Sequence, residues 1–344
     1  MPRTTRSGTV RRLLAALAIA VVAVLTACST TSGGSAASGQ LSLVAFSVPK
    51  PAYDDLQKAF SDSADGKGVT WKSSYGPSGD QARAVISGLP ADYVGFSLAS
   101  DMSKLVDKNL VAKDWDAGPN HGIVSTSVVV IVVRAGNPLN IKGWDDLVKP
   151  GVKIVTPNPG SSGSARWNVL AAWSHITANG GSEADAVNYL QKYYKNIESL
   201  PSSGREATSA FTSGTGDVLI SYENEAIAAR QNGAKVDYVV PDTTLEIENP
   251  GAVTSKAPAS AKKFLDYVVS DAGQQIFASH GFRPLNPSVK PGTVQGANDP
   301  AQPFPAVKKL VTIADLGGWS KVSDKFFDQK TGIVTKIQDA SAVS

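Results

Sequence analysis

Residues 152–168, V-K-I-V-T-P-N-P-G-S-S-G-S-A-R-W-N, contain the clearest change of pattern in the chain. An apolar run leads into Pro157 and Pro159, small residues follow, and a new apolar pattern starts at Ala165. Proline cannot continue a β-ladder, whereas serine and glycine are favoured where a helix begins. We therefore predict a strand, a loop and a helix that begins near Ser164. The free backbone N–H groups at such a helix start can hold an oxygen-rich anion.

The first 27 residues have the pattern of an export signal. Four arginines lie within residues 1–12, and residues 13–27 form an uncharged apolar stretch that is too short to span a membrane. Residues 25–28 read L-T-A-C, which resembles a bacterial lipobox. Cys28 is the only cysteine and has no disulfide partner, so we expect it to carry a lipid anchor after the signal is removed. An incidental cysteine in a cleaved signal is the alternative.

The charge balance argues against one class of function. The chain has 33 Lys+Arg and 30 Asp+Glu, and removal of residues 1–27 takes away four basic residues, which leaves 29 basic against 30 acidic residues. A nearly neutral mature chain gives no support for nucleic-acid binding. After Cys28, the residues up to 40 are small and polar, which predicts a flexible tether within residues 28–40. The roughly 300 residues that follow are enough for two lobes of ordinary domain size.

Strand and helix patterns alternate along the chain from residue 41. Apolar or β-branched runs predict strands at 41–46, 69–73, 93–98, 125–133, 218–220, 236–240 and 252–254. Helical periodicity predicts helices at 164–177, 186–194, 223–231, 259–269 and 272–279, among others. This alternation predicts an α/β fold with mainly parallel sheets flanked by helices.

The order of these elements suggests two lobes with a hinge between them. We place lobe 1 at residues 41–124 plus 250–344 and lobe 2 at residues 125–249. The chain then crosses between the lobes twice, near Thr126 and within residues 246–253. Open α/β sheets bind ligands outside the carboxyl ends of their strands, so the two lobes would enclose one cleft.

Four predicted strand-to-helix connections offer small residues with free backbone donors. They contain Ser47, Ser78-Gly79, Ser162-Gly163-Ser164 and Ser203-Gly204. Any one of them is ordinary as a helix cap, and Ser78 with Gln81 three residues later also fits a capping box. Four together in a two-lobed chain favour a shared site for an anion.

Uncharged donors would make such a site selective. An enclosed dianion needs partners for its lost hydration, and backbone donors supply them without leaving a buried unpaired cation when the site empties. Sulfate accepts hydrogen bonds and donates none, whereas phosphate near neutral pH keeps a proton that needs an acceptor. A site made of donors alone therefore favours sulfate over phosphate.

Several longer segments carry a family resemblance. The most specific is T-P-N-P-x-S-S-G-x-A-R-W-N at 156–168. The others are S-G-D-Q-A-R-A-V at 78–85, N-P at 137–138, W-D-D-L at 144–147, L-A-A-W at 170–173, G-D-V-L-I at 216–220, E-N-E-A at 223–226, F-R-P at 282–284 and G-G-W at 317–319. In order from Leu41 to about Phe327, they resemble the periplasmic sulfate-binding proteins that supply ABC importers. The resemblance implies a two-lobed fold that closes on sulfate.

The resemblance also implies which positions bind the ligand. They are Ser78 from lobe 1 and Ser162, Gly163, Ser164, Gly204 and Tyr222 from lobe 2. We add Ser47 to lobe 1 because it lies in the first strand-to-helix connection. Ser162 would use its hydroxyl and backbone, and Tyr222 stands where the family has a tryptophan. Ser164 replaces a glycine and keeps its N–H if its backbone tolerates a β-carbon. Asp80 replaces a lysine, and we expect it to point to solvent near the helix start.

The sequence thus predicts a lipid-anchored receptor on the outer face of the cytoplasmic membrane that delivers sulfate to ABC permease subunits. We expect a monomer that is no enzyme and needs no cofactor and no metal. Receptors for thiosulfate, molybdate or phosphate are alternatives of the same class. A serine acyl enzyme is an alternative of another class, because Ser47 and Lys50 with K-T-G at 330–332 match two of its motifs. Its middle Ser-x-Asn motif is not evident.

Overall fold

The structure is a computed structural model that describes residues 39–341. The predicted signal at 1–27, Cys28 and most of the predicted tether lie outside the described residues. Gly39 and Gln40, which were expected to end the tether, belong to the first strand and pair with Val69 and Thr70. Within residues 39–341, no helix is long and apolar enough to cross a membrane.

Strands and helices alternate through most of the chain. The strands are β1 Gly39–Phe46, β2 Val69–Gly76, β3 Tyr93–Gly95, β4 Ile123–Arg134, β5 Ile154–Val155, β6 Ile197–Ser199, β7 Val218–Tyr222, β8 Val236–Val239, β9 Thr243–Val253 and β10 Lys309–Val311. The α-helices are α1 Lys50–Asp62, α2 Ser78–Ile86, α3 Ala99–Asp107, α4 Gly163–Thr177, α5 Glu183–Lys195, α6 Gly204–Thr212, α7 Glu223–Gln231, α8 Ala259–Val269, α9 Asp271–Ser279, α10 Gly318–Phe327 and α11 Ile333–Ser341. Trp144–Val148 forms a short 3-10 helix.

The strands form two groups connected by β4 and β9. The order is β2-β1-β3-β9-β4-β7-β5-β6, with β10 beside β9 and β8 beside β4. Pairing is parallel among β1, β2 and β3 and among β5, β6 and β7. It is antiparallel where β3 meets β9 and where β4 meets β7, β8 and β9. The fold is therefore α/β and mainly parallel within each group, as the sequence predicts.

The two connecting strands pass from one group to the other. Gly251–Val253 of β9 pairs with β3, whereas its preceding residues pair with the first half of β4. The second half of β4 pairs with β7. The register of β4 against β9 shifts between Ile123 and Ser125, opposite Pro250, which has no N–H to give to a ladder.

The predicted capping box at Ser78 is wrong, although the helix does begin there. The Ser78 hydroxyl turns away from its own helix. It donates to Asp101 Oδ2 at 2.7 Å and accepts from the Ser97 N–H at 3.0 Å. Gln81 accepts from the Ser74 hydroxyl at 3.1 Å instead of closing the box. A tertiary donor, the Ser97 N–H, therefore takes the place of the helix's own N–H at the Ser78 hydroxyl.

The C-terminal helices pack on α4 and α5. The rings of Trp167 and Trp319 are 4.7 Å apart, and those of Trp173 and Phe326 are 4.9 Å apart. Helix α11 contacts α5, and β10 pairs with the first residues of β9. In contrast, α8 packs on α1, where the ring centroids of Phe264 and Phe60 are 5.4 Å apart. The residues after 250 thus divide between the two groups of strands.

Candidate functional site

Three helix starts meet between the two groups of strands. The Gly79 N–H of α2 donates to the carbonyl of Ser161, just before α4, at 3.3 Å. Gly163, the first residue of α4, is so close to Ser97 that a β-carbon on it would lie 2.5 Å from Ser97 Oγ. A β-carbon on Gly204, the first residue of α6, would lie 2.7 Å from Ser164 Oγ. Glycine is therefore needed at 163 and 204 for these helix starts to approach.

Four buried backbone N–H groups at these helix starts have no hydrogen-bond acceptor among residues 39–341. They belong to Ser78, Gly163, Ser164 and Gly204. Nearly all buried N–H groups in proteins are paired, so four unpaired ones in one place indicate a missing partner. Each also lies at the positive end of a helix dipole, which favours an anion as that partner.

Ser162 keeps its hydroxyl free. It is the N-cap residue of α4 and is buried, but its side chain makes no capping hydrogen bond. Ser203, the N-cap of α6, does cap its helix and accepts from the Glu206 N–H at 3.2 Å. The Ser162 hydroxyl is therefore not used to cap its own helix.

Ser164 is accommodated where a glycine was expected. It is the second residue of α4, and its φ angle is not positive, so its β-carbon causes no backbone strain. Its N–H is therefore kept, and the replacement adds a hydroxyl beside Gly204.

Tyr222 is fully buried at the end of β7. Its hydroxyl oxygen lies 2.7 Å from that of Ser97, which follows β3. Burial raises the pKa of the Tyr222 phenol, and the neighbouring Ser164, Ser97 and Asn249 side chains oppose this only in part. Tyr222 is thus a neutral phenol that joins the two groups of strands.

Ser47 is half-buried near the same helix starts. Its N–H donates to the Gly76 carbonyl at 3.0 Å, and the next residue, Val48, would contact a β-carbon on Gly204 at 3.1 Å. Lys50 extends along α1 and its ammonium group bonds Asp54 at 2.5 Å. The Ser47–Lys50 pairing that an acyl enzyme would need is therefore not made among the described residues.

The basic residues near the helix starts are held by other partners. Arg205 bonds Glu225 at 2.6 Å and the Val48 carbonyl at 2.9 Å, although its buried Nε has no partner among residues 39–341. Arg166 donates to the Pro159 carbonyl at 3.2 Å. Asp80 is half-exposed and pairs with Arg83, as expected. Arg205 is therefore paired with a carboxylate, whereas Arg166 contacts a neutral carbonyl and the Phe327 ring.

A further pair links the site to β4. Arg283 makes two hydrogen bonds to Glu223, the residue after Tyr222, at 2.7 and 3.1 Å. The Arg283 N–H donates to the Thr126 carbonyl at 2.9 Å, and the Thr126 hydroxyl donates to the Arg283 carbonyl at 2.9 Å. The F-R-P segment of the family resemblance thus connects β4 to the start of α7.

Sequence reasoning missed Ser97, Asp101 and Asn249. Ser97 carries the signal used for the other connections, because it is a serine just beyond a strand. Asp101 and Asn249 carry no local signal, since their roles depend on contacts that only the fold creates. Among residues 39–341, no three His, Cys, Asp or Glu side chains are arranged to hold a metal ion.

Two groups of strands with buried donors between them are typical of proteins that enclose a small solute. The family model described as bacterial extracellular solute-binding protein matches residues 41–283. The chain belongs to this family of solute-binding proteins.

Several relatives are similar to this chain over most of their length. A sulfate-binding protein from Synechococcus elongatus is 41% identical over 95% of this chain and 96% of the relative. A thiosulfate-binding protein from Pseudomonas aeruginosa is 37% identical over 89% of this chain and 94% of the relative. The solved structure of the sulfate-binding protein SubI from Mycobacterium tuberculosis is 44% identical, covers 84% of this chain and 99% of its own, and has a TM-score of 0.79.

Proposed function

We propose that this chain is the receptor of an ABC importer that captures sulfate and delivers it to the permease subunits. The observation that carries the proposal is the set of four buried N–H groups without an acceptor among residues 39–341. Relatives named as sulfate-binding proteins, matched over most of the chain, support the same ligand. Binding and release are the whole proposed activity, with no catalytic step.

The proposed site uses uncharged donors from both sides. Sulfate would be held by the N–H groups of Ser78, Gly163, Ser164 and Gly204. The hydroxyls of Ser47, Ser162 and Tyr222 would complete the contacts. Because no free cation is needed, the empty site carries no unpaired buried charge, and release costs less.

We infer two lobes that close over the anion. We place residues 41–124 in lobe 1 and residues 125–249 in lobe 2, which are the bounds expected from the sequence. The residues after 250 are best divided between the two lobes. Helix α8 packs on α1 of lobe 1, whereas α10 and α11 pack on α4 and α5 of lobe 2. We therefore assign residues 250–279 to lobe 1 and residues 309–341 to lobe 2, instead of all of them to lobe 1. Donors from both lobes meet only when the cleft is closed, so binding favours closure.

We also propose that Cys28 is lipidated and that residues 28–38 tether a monomeric receptor to the outer face of the cytoplasmic membrane. The L-T-A-C pattern at 25–28 supports this. Labelling with a radioactive fatty acid in a bacterial host should mark the full chain and not a Cys28→Ser variant. Equal labelling of both would refute the anchor.

Calorimetric titration of the delipidated protein tests the ligand. Sulfate, thiosulfate, molybdate and phosphate are titrated at one pH, and we expect sulfate to bind most tightly. No binding of sulfate would refute the proposal. Tighter binding of thiosulfate would favour the second candidate, a thiosulfate receptor, to which the Pseudomonas aeruginosa relative points.

Two variants test the assigned residues. Ser162→Ala and Tyr222→Phe each remove one buried hydroxyl. We expect each to weaken sulfate binding by roughly tenfold to 100-fold, because a hydrogen bond to a charged group contributes about 1.5 to 3 kcal/mol. Unchanged affinity in both would refute their assignment.

A further inference from the structure

A cavity away from the proposed sulfate site lies beside the two strands that connect the groups of strands. It is enclosed by the loop 112–120, helix α8 and residues 122–124 and 251–253, and we call it the hinge recess. Its volume is about 410 Å³, which is in the range of small-molecule sites. Its apolar wall includes Trp115, Ile123, Val124, Val253, Leu265 and Val269. None of its residues belongs to the proposed sulfate site, so its occupant would be a different ligand.

The floor of the hinge recess is the place where β4 and β9 pass from one group of strands to the other. The Gly251 N–H donates to the Gly122 carbonyl at 3.0 Å. The register shift between Ile123 and Ser125, opposite Pro250, lies beside this contact. When lobes open and close, a few residues at such a passage absorb the change in backbone angles. A ligand in the hinge recess would therefore contact backbone that changes when the cleft opens.

Trp115 forms a side wall of the hinge recess. A β-carbon on Gly122 would lie 2.3 Å from Cζ3 of the Trp115 ring, so the indole rests directly on the Gly122 backbone. The ring is half-buried by its surroundings and also lines the cavity. Among aromatic side chains, tryptophan attracts a cation over its face most strongly. This wall therefore favours a ligand that has an apolar ring and a positive charge.

The charged residues of the hinge recess favour a ligand of the same sign. Lys262 is paired with Asp266 of the same helix at 2.5 Å. Asp114 also lines the cavity, and its carboxylate has no ion-pair partner among residues 39–341. Two carboxylates and one ammonium group give the lining a net negative charge. The unpaired carboxylate of Asp114 complements a positive group on the ligand.

We propose that the hinge recess binds a small organic cation, a protonated amine with one apolar ring, and that this ligand favours the closed lobes. The ring lies between Trp115 and the apolar side chains of α8, and the ammonium group faces Asp114. Opening would turn β4 relative to β9 and change the shape of the hinge recess, so a ligand that fits the closed form stabilises it. By linkage, sulfate and the cation then strengthen each other's binding by the same factor, a part of the inference that rests on the proposed function.

Phenethylammonium is the probe for the site, and phenylacetate is an anion of similar size for comparison. Each is added at millimolar concentration to the isotope-labelled, delipidated protein, and the backbone amide signals are followed by NMR. We expect phenethylammonium to cause saturable shifts at Gly122, Ile123 and Val253. We expect phenylacetate to bind at least about threefold more weakly, because its charge is repelled by Asp114.

Three variants test the residues of the hinge recess. Asp114→Asn removes the charge and keeps the size, and we expect phenethylammonium to bind about threefold more weakly, the effect of an exposed ion pair. Asp116→Asn is the matched control, because Asp116 is an exposed carboxylate of the same loop that does not line the cavity, and it should leave binding unchanged. Trp115→Leu removes the aromatic wall and should weaken binding roughly fivefold.

Titration of sulfate with and without saturating phenethylammonium chloride tests the coupling, with ammonium chloride as the salt control. We expect phenethylammonium to tighten sulfate binding roughly fivefold. The inference is overturned if the amide shifts do not saturate, if Asp114→Asn and Asp116→Asn bind phenethylammonium equally, or if sulfate affinity is the same with and without it. Absence of sulfate binding in every sample would instead refute the proposed function, and the amide shifts would still decide whether the hinge recess binds the cation.

Discussion

The substitution Gly163→Ala tests whether the two lobes close on each other as proposed. A β-carbon at residue 163 would lie 2.5 Å from both Cβ and Oγ of Ser97 and 2.9 Å from Cγ of Leu98. Ordinary contacts begin at 3.4 Å, so the start of α4 and the Ser97–Leu98 segment must separate by roughly 0.9 Å, the difference between 3.4 and 2.5 Å. Two hydrogen bonds of Ser97 span this contact, from its hydroxyl to that of Tyr222 at 2.7 Å and from Trp167 Nε1 to its carbonyl at 2.9 Å.

The size of the effect follows from these contacts. Overpacking costs about 1 to 3 kcal/mol, and the stretched hydrogen bonds add about 1 kcal/mol. The total of about 2 to 4 kcal/mol corresponds to sulfate binding that is roughly 30-fold to 700-fold weaker. In the open protein the contact is absent, and alanine favours a helix over glycine, so stability without ligand should stay the same or rise slightly.

Calorimetry with sulfate and thermal unfolding without ligand measure the two quantities separately. Gly79→Ala is the matched control, because its β-carbon would lie 3.3 Å from the Ser161 carbonyl at the same interface, and we expect a loss of about threefold or less. Wild-type affinity in Gly163→Ala would refute the steric argument. An equal loss of stability without sulfate would show that the contact does not depend on closure.

Three further substitutions have separate expected outcomes. Ser162→Ala should weaken sulfate binding without lowering the melting temperature, because the Ser162 hydroxyl caps no helix. Ser182→Ala removes the N-cap of α5, so it should lower the free energy of unfolding by about 1 kcal/mol and leave sulfate binding unchanged. The opposite pattern would contradict the assignment. Asp101→Ala leaves the buried Ser78 hydroxyl without its acceptor. The free energy of unfolding measured in urea should therefore fall by about 1 to 3 kcal/mol, and sulfate binding should weaken. Unchanged stability and unchanged sulfate affinity would contradict this role of Asp101. Burial raises the pKa of Glu246 above its ordinary value of 4.5, so the wild type should lose stability as pH rises from that value through the raised folded-state pKa. Glu246→Gln should flatten this decline, and parallel curves of stability against pH for the two proteins would refute the expectation.

Local sequence patterns predicted the elements whose ends are marked by proline, serine or glycine. The two prolines and the serine-glycine run place the start of α4 within one residue, and α7 spans Glu223–Gln231 as predicted. The strand β9 was mostly missed, because Pro250 and Gly251 normally end a strand. Here they lie at the passage between two partner strands, where a break in the ladder is tolerated.

The candidate site could be predicted only where its donors belong to helix starts. Ser162, Gly163 and Gly204 can be predicted from residue type alone. Small residues just before a helical pattern of apolar residues indicate a helix start with free N–H groups. Ser97 contributes through a partner 125 residues away, Tyr222, and no spacing rule connects the two. The failed capping box at Ser78 has the same origin, because its hydroxyl accepts from the distant Ser97 N–H and donates to Asp101 instead of accepting from its own helix.

The link from Thr126 through Arg283 to Glu223 holds Tyr222, the residue before Glu223, whose phenol is a spectroscopic probe of the binding site. Tyr222 is connected to β4 twice, by its pairing with Val129 and by the ion pair of its neighbour Glu223, so we expect it to move together with that strand. In the proposed opening, the contact between Tyr222 and Ser97 must therefore break cleanly, and the phenol passes from a dry, hydrogen-bonded setting into water. We therefore expect a small tyrosine difference spectrum in the near ultraviolet when sulfate is added, on top of the absorption of the other eight tyrosines and the six tryptophans.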